Sequence, residues 1–192
     1  RQVLGWLEKR GWMANTDVFF TTDHGELQGD FGLLFKGPYH VDALMRLPFI
    51  WRPAGGVEST SVSVPVGHLD LAPTFCEIAG IEPPDYLEGR VLPVSNETAR
   101  GRDYVLTEWD SEHGPLDMHL KSIYRDGWLC TTYEKSTLYE GTEGELYNLK
   151  TDPEQRENLW SKETQIQAEL IEAIYDCLPQ ARNPRLERKA PV

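Results

Sequence analysis

At 192 residues the chain is long enough for one domain, or for one domain and a small subdomain, and its 40% hydrophobic and 10% aromatic residues supply a core. A formal net charge of −12 argues against nucleic acid as a partner, because binding phosphates needs basic patches. No apolar run of about 18 residues occurs, so no segment reads as a membrane-spanning helix.

The only basic cluster, Arg182, Arg185, Arg188 and Lys189, reads as a solvated tail. Three widely spaced cysteines, Cys76, Cys130 and Cys177, are odd in number and predict buried free thiols in a reducing, cytoplasmic compartment. Asn96-Glu97-Thr98 fits a glycosylation sequon, a triplet common by chance.

In chain order, Val3, Leu4, Trp6, Leu7 and Trp12 give a partial helical stripe closed by Lys9-Arg10-Gly11. Residues 17–22 are apolar on both faces and predict a buried strand in the middle of a parallel sheet. The segment 23–37 is a glycine-rich loop. Residues 42–46 predict a short helix, and 47–52 a second buried strand stopped by Pro53 and Gly55-Gly56. Alternation over 60–66 predicts an edge strand, and 70–79 a helix ended by Gly80 with Asp70 as its N-cap. Residues 81–103 are rich in proline and acids, without a period, and read as a linker. Beyond it, 104–109, 119–125 and 128–133 predict strands, with Asp126-Gly127 as a hairpin turn. A short strand at 146–149 follows. Ile166, Leu170, Ile174 and Leu178 then mark an amphipathic helix. The expected organisation is an α/β segment (1–80), the linker (81–103), and an antiparallel subdomain with a terminal helix (104–192). His113 and His119 are expected in an exposed loop before the hairpin, and Trp51, Trp109 and Trp128 in packing roles.

The chemistry concentrates after Val18-Phe19-Phe20, where Thr21-Thr22-Asp23-His24-Gly25-Glu26 begins. Ligands of open α/β sheets collect at the carboxyl ends of strands. Asp23 offers an anionic oxygen and His24 an imidazole nitrogen, so the pair can hold a divalent cation. Lys36, thirteen residues after Asp23, is a positive point charge that can reach an anion. Glu26, His40 and Arg46 lie near this loop in sequence, Arg46 reading as the partner of a carboxylate.

These residues recur with Gly29-Asp30-Phe31-Gly32, Lys36-Gly37, Arg46-Leu47-Pro48-Phe49-Ile50, His68-Leu69-Asp70-Leu71-Ala72-Pro73-Thr74, Gly144-Glu145-Leu146-Tyr147-Asn148-Leu149, Thr151-Asp152-Pro153-Glu154 and Glu157-Asn158-Leu159. In that order, over residues 1–160, the set resembles the carboxyl-terminal part of a sulfatase of the alkaline phosphatase superfamily. The resemblance implies the carboxyl-terminal part of an alkaline-phosphatase-like sheet, with a small antiparallel subdomain and a terminal helix. It implies that Asp23 and His24 are metal ligands and that Lys36 contacts the sulfate of a sulfate or phosphate ester substrate.

The family nucleophile, a formylglycine made from Cys or Ser in a Cys/Ser-x-Pro-x-Arg signature, has no counterpart here. Cys177-Leu178-Pro179-Gln180-Ala181-Arg182 has its Arg one residue late. The chain begins at Arg1 within a helical pattern, so the expectation is a fragment of a longer polypeptide. Alone, the chain is expected to be inactive, and either to need the amino-terminal half or to self-associate. Where Ca²⁺-dependent sulfatases often carry Asn, this chain has His24, which suits Mn²⁺ or Zn²⁺ better than Ca²⁺ and leans toward the choline-sulfatase and phosphonate monoester hydrolase branch. The alternative is a non-catalytic binding module that keeps a remnant of the fold. Retention of Asp23, His24 and Lys36 together favours the hydrolase.

Overall fold

The computed structural model describes residues 2–99, 103–113 and 116–177, and at 112–116 it gives no side-chain placement. Leu178 and the cluster Arg182, Arg185, Arg188 and Lys189 lie outside the described residues. The chain divides between residues 102 and 103 into two compact units. Together they form a mixed α/β fold whose sheets are antiparallel. Among the described residues no helix is long and apolar enough to cross a membrane.

In the first unit, α1 (Gln2–Lys9) is followed by β1 (Val18–Phe20), α2 (Asp42–Met45), β2 (Ile50–Arg52) and α3 (Leu71–Ala79). The expectation of a central, parallel, fully buried strand is corrected here. β1 pairs with β2 antiparallel, with Val18 opposite Arg52, Phe19 opposite Trp51 and Phe20 opposite Ile50. Side chains of a strand alternate between faces. Phe19 therefore stacks on Trp51 at 5.2 Å and meets Phe75 of α3 edge-on at 5.1 Å. Phe20 and Ile50 point the other way and stay 60% and 63% exposed. Trp51 is fixed further by its Nε1–H, which donates to Asp17 Oδ1 at 2.8 Å.

Residues 60–66 form no strand. Pro65 removes a ladder donor, and the side chain of Asn96 takes the place of a neighbouring strand. Asn96 Oδ1 accepts from the Ser63 N–H at 3.0 Å, and its Nδ2–H donates to the Ser61 carbonyl at 3.1 Å.

α3 ends as expected, with Gly80 left-handed (φ 66°) and the Ile81 N–H donating to Cys76 O at 2.9 Å. Its start differs. Asp70 makes no capping bond to α3. It closes the short 3-10 turn His68–Asp70, is buried, and accepts from Gly67 N–H at 3.1 Å and Arg90 N–H at 2.8 Å. The Leu92 N–H donates to Thr74 Oγ1 at 2.8 Å. Residues 81–99 are thus irregular in backbone yet stitched onto α3, with Leu92 and Ala99 buried.

The second unit is a sheet in the order β3-β4-β5-β6, made of β3 (Tyr104–His113), β4 (Leu116–Arg125), β5 (Trp128–Tyr133) and β6 (Gly144–Asn148), and covered by α4 (Thr164–Cys177). Asp126 (φ 53°) and Gly127 (φ 86°) both have positive φ, the geometry of a tight hairpin turn, and Arg125 closes against Trp128. Leu170 and Ile174 of α4 bury against Ile123, Cys130 and Leu146, with Leu159, Trp160, Ile166 and Trp128 packed around them. The buried Ser122 and Thr131 hydroxyls satisfy each other at 2.7 Å.

β3 and β4 run to ten residues each, so His113 and His119 lie in strands rather than in a loop. Trp109 is corrected as well. β3 is an edge strand, and the indole remains 41% exposed although its register partner Leu120 is buried. All three cysteines are free, but only Cys130 is fully buried, and burial pushes its thiol up to about 12.

Candidate metal and anion site

The loop after β1 must turn back on itself for Lys36 to meet Asp23 and His24. Its sequence does this with four left-handed residues in a row of five: Gln28 (φ 48°), Gly29 (116°), Phe31 (56°) and Gly32 (73°). Two of them carry side chains, and each such residue costs roughly 1–2 kcal/mol. Strain of this kind persists where the surroundings fix it. Here the Gly29 N–H donates to Leu33 O at 2.7 Å and the Leu33 N–H to Asp30 O at 3.0 Å, which locks the reversal.

Gly25 anchors the other end. Its N–H donates to the Leu44 carbonyl of α2 at 2.9 Å. A Cβ at this position would overlap the Ala43 carbonyl oxygen and lie 3.0 Å from Leu44 Cα. Only glycine lets the loop approach α2 this closely. Beneath it Leu27, Val41 and Leu44 form a small buried cluster.

The three residues singled out from the sequence come together on this frame. Lys36 Nζ lies 2.6 Å from His24 Nε2, and Asp23 Oδ2 lies 3.5 Å from the same nitrogen. His24 Nδ1 is 2.7 Å from the Gly25 carbonyl oxygen. A carbonyl oxygen only accepts, so Nδ1 carries the proton in this bond; an ammonium only donates, so Nε2 presents its lone pair. Asp23 is exposed, and its carboxyl sits below the usual carboxylate range. A hydrogen bond from its own backbone N–H is the largest cause, and the facing His24, the His24 N–H and the Thr22 hydroxyl add to it against a smaller effect of burial.

Among the described residues no group of three or more His, Cys, Asp or Glu side chains gathers in a way that would hold a metal. The pair does fit a divalent cation by its donor chemistry: an anionic oxygen and an imidazole lone pair of fixed tautomer, side by side.

Of the neighbours, Arg46 pairs with Asp42 at 3.8 Å on the surface, while burial pushes the Asp42 carboxyl up. Glu26 is exposed. His40 is buried, and burial pushes its imidazole down to about 4. The sequence reading did not single out Gly25 and Thr22 as supports, although a glycine directly after the Asp-His pair was a usable signal. It also missed a second polar cluster in the other unit. There, His119 Nδ1 sits 2.8 Å from Asp110 Oδ1, and its Nε2 sits 3.6 Å from Asp117 Oδ2.

The family profile described as N-sulphoglucosamine sulphohydrolase, C-terminal, matches residues 29–182, a span that includes Lys36 and begins just after Asp23 and His24. The uncharacterized sulfatase YidJ of Escherichia coli (strain K12) is 32% identical over 172 residues, which is 88% of this chain and 33% of that protein. A solved 2-O GAG sulfatase superposes with a TM-score of 0.70 at 28% identity, over 95% of this chain and 42% of its own. The phosphonate monoester hydrolase of Agrobacterium radiobacter shares the fold, with a TM-score of 0.77 at 22% identity over 92% of this chain and 37% of its own. The chain spans about a third of the length of the curated relative it matches. By the profile match over most of its residues, it belongs to the sulfatase family, as the carboxyl-terminal domain of the N-sulphoglucosamine sulphohydrolase type.

Proposed function

We propose that this chain supplies the carboxyl-terminal part of a metal-dependent sulfuric ester hydrolase. The observation that carries the reading is the convergence of Lys36 and Asp23 on one nitrogen of His24, at 2.6 and 3.5 Å. In this reading Asp23 and His24 hold a divalent cation, Mn²⁺ or Zn²⁺ in preference to Ca²⁺ because imidazole is a poor Ca²⁺ ligand. Bound there, the cation would draw negative charge from the sulfate oxygens. Lys36 contacts the anion and offsets the charge that builds on it in the transition state. The Gly25 carbonyl holds the His24 ring in the tautomer that faces the cation. The nucleophile, a formylglycine, belongs to residues other than these 192.

A second reading, hydrolysis of phosphate or phosphonate monoesters by the same groups, is favoured by His24, since the harder Asn–Ca²⁺ combination is absent from the pair. The outward faces of Phe20 and Ile50 support association of this unit either with the remainder of a sulfatase chain or with a second copy, which light scattering on the purified chain distinguishes. The free state of all three cysteines supports a cytoplasmic setting.

The test of the site is a calorimetric titration of Mn²⁺ and Zn²⁺ into the chain. Two protein ligands hold a cation weakly, in the micromolar to millimolar range, and Asp23→Ala or His24→Ala abolishes the heat. Binding that survives both substitutions contradicts the assignment.

A further inference from the structure

The imidazole of His24 has one lone pair to give, and Lys36 holds it. Nδ1 is committed as a donor to Gly25 O at 2.7 Å, so Nε2 is the only acceptor on the ring. Lys36 Nζ lies 2.6 Å from that atom. A ring nitrogen with a single in-plane lone pair serves one partner at a time, so a cation and the Lys36 ammonium exclude each other there.

The left-handed reversal at residues 28–32 precedes Lys36, and the ring of Tyr39 lies over Gly37, where a Cβ would come 2.5 Å from Tyr39 Cε2. Exchange needs only a rotation of the four-carbon stem of Lys36, which is exposed.

We infer that Lys36 is a latch on the metal ligand: it occupies His24 Nε2 in the cation-free protein and is released toward the substrate anion when a cation takes that nitrogen. The inference rests on the proposed metal site and deepens it. Cation loading and anion binding become coupled through one side chain. The unloaded protein keeps Lys36 engaged and binds the anion poorly, and the loaded protein presents a free ammonium beside the metal charge. Coupling of this kind is reciprocal, so the anion also tightens the cation.

The experiment uses the 192-residue chain with ¹⁵N-labelled histidine and lysine, and Zn²⁺ as the probe. In the cation-free protein, Lys36→Met is expected to shift the His24 Nε2 resonance toward that of an unbonded imidazole nitrogen. In the wild type, Zn²⁺ is expected to move the Lys36 Nζ resonance to the position of a free lysine. Calorimetry is expected to show Zn²⁺ binding about tenfold tighter to Lys36→Met than to wild type, the size of a charge-assisted hydrogen bond weakened by exposure.

An ammonium that merely repels the cation would also tighten Zn²⁺ binding on removal, but it would leave His24 Nε2 unmoved in the cation-free protein; that result overturns the latch. If Asp23→Ala and His24→Ala weaken Zn²⁺ while Lys36→Met changes neither resonance nor affinity, the metal site stands and the latch is wrong. If Asp23→Ala and His24→Ala leave Zn²⁺ binding intact, the metal site and the latch fall together.

Discussion

Replacing Gly25 by alanine tests whether the Asp-His pair depends on its contact with α2. The added methyl would overlap Ala43 O and lie 2.9 Å from the Ala43 carbonyl carbon and 3.0 Å from Leu44 Cα. All three are backbone atoms, so no side-chain rotation relieves the clash. The loop must back away, and the bond from Gly25 N–H to Leu44 O at 2.9 Å breaks. Overpacking costs about 1–3 kcal/mol. The lost hydrogen bond adds about 1 kcal/mol, and the stiffer unfolded chain returns about 0.4–1 kcal/mol. The net expectation is a local destabilisation of about 1–3 kcal/mol. Because the chain has two units, a single melting curve is a poor readout. Urea titration followed through the amide resonances of residues 23–45 reports the first unit alone, and Zn²⁺ affinity should fall in the same variant because the Gly25 carbonyl no longer orients His24. A midpoint for those amides within about 0.5 kcal/mol of wild type, with unchanged Zn²⁺ affinity, would refute the account of Gly25.

His40 and His119 give pH dependences of opposite sign. Burial depresses His40 from 6.5 to about 4, so stability is full above pH 6.5 and is lost as pH falls toward 4, by up to ~3 kcal/mol at 1.36 kcal/mol per unit. In His40→Gln that acid-side slope should vanish from the urea midpoints of the first unit; a slope that persists assigns it elsewhere. The hydrogen bond to Asp110 raises His119, the charges of Asp110 and Asp117 adding, so its contribution is full below the unfolded value of 6.5 and is lost as pH rises through the folded one. Asp110→Asn should flatten hydrogen exchange of the β3–β4 hairpin across that neutral-side window, and an unchanged profile would show that the pair does no such work. The purified chain should not turn over aryl sulfates or aryl phosphates; metal-dependent turnover that disappears in Asp23→Ala would show that no further nucleophile is needed.

Where local chemistry decides the structure, the sequence was readable. Asp126-Gly127 can adopt two positive φ angles, so the hairpin and its register followed from two residues. Ile166, Leu170 and Ile174 lie one helical turn apart, and the last two bury in α4. Gly80 stops α3 for the same local reason. Strand direction in the first unit was not readable. An all-apolar triplet such as Val18-Phe19-Phe20 carries neither its partner's direction nor which face is covered, and that partner lies some thirty residues away. The alternation in 60–66 pointed to a strand, but Pro65 and the Asn96 side chain settle that segment as an extended loop. Asp70 looked like a cap because it precedes a helix; its actual bonds reach back to Gly67 and across to Arg90, twenty residues on. At the site, the chemistry of Asp23, His24 and Lys36 was visible in their types. Their approach was not, because it depends on left-handed backbone at Gln28 and Phe31, residue types that seldom adopt it, and on the fit of Gly25 against Ala43.

The central claim is that Asp23, His24 and Lys36 act together on a sulfate ester. The most direct measurement is kcat/KM for an aryl sulfate in the complete enzyme that carries this segment, with Asp23→Ala, His24→Ala and Lys36→Ala compared with wild type. Each substitution should lower kcat/KM by about a hundredfold or more, and the double variants should lose less than the product of the single losses, because the three groups serve one site. Undiminished kcat/KM in any of the three single variants would contradict the account.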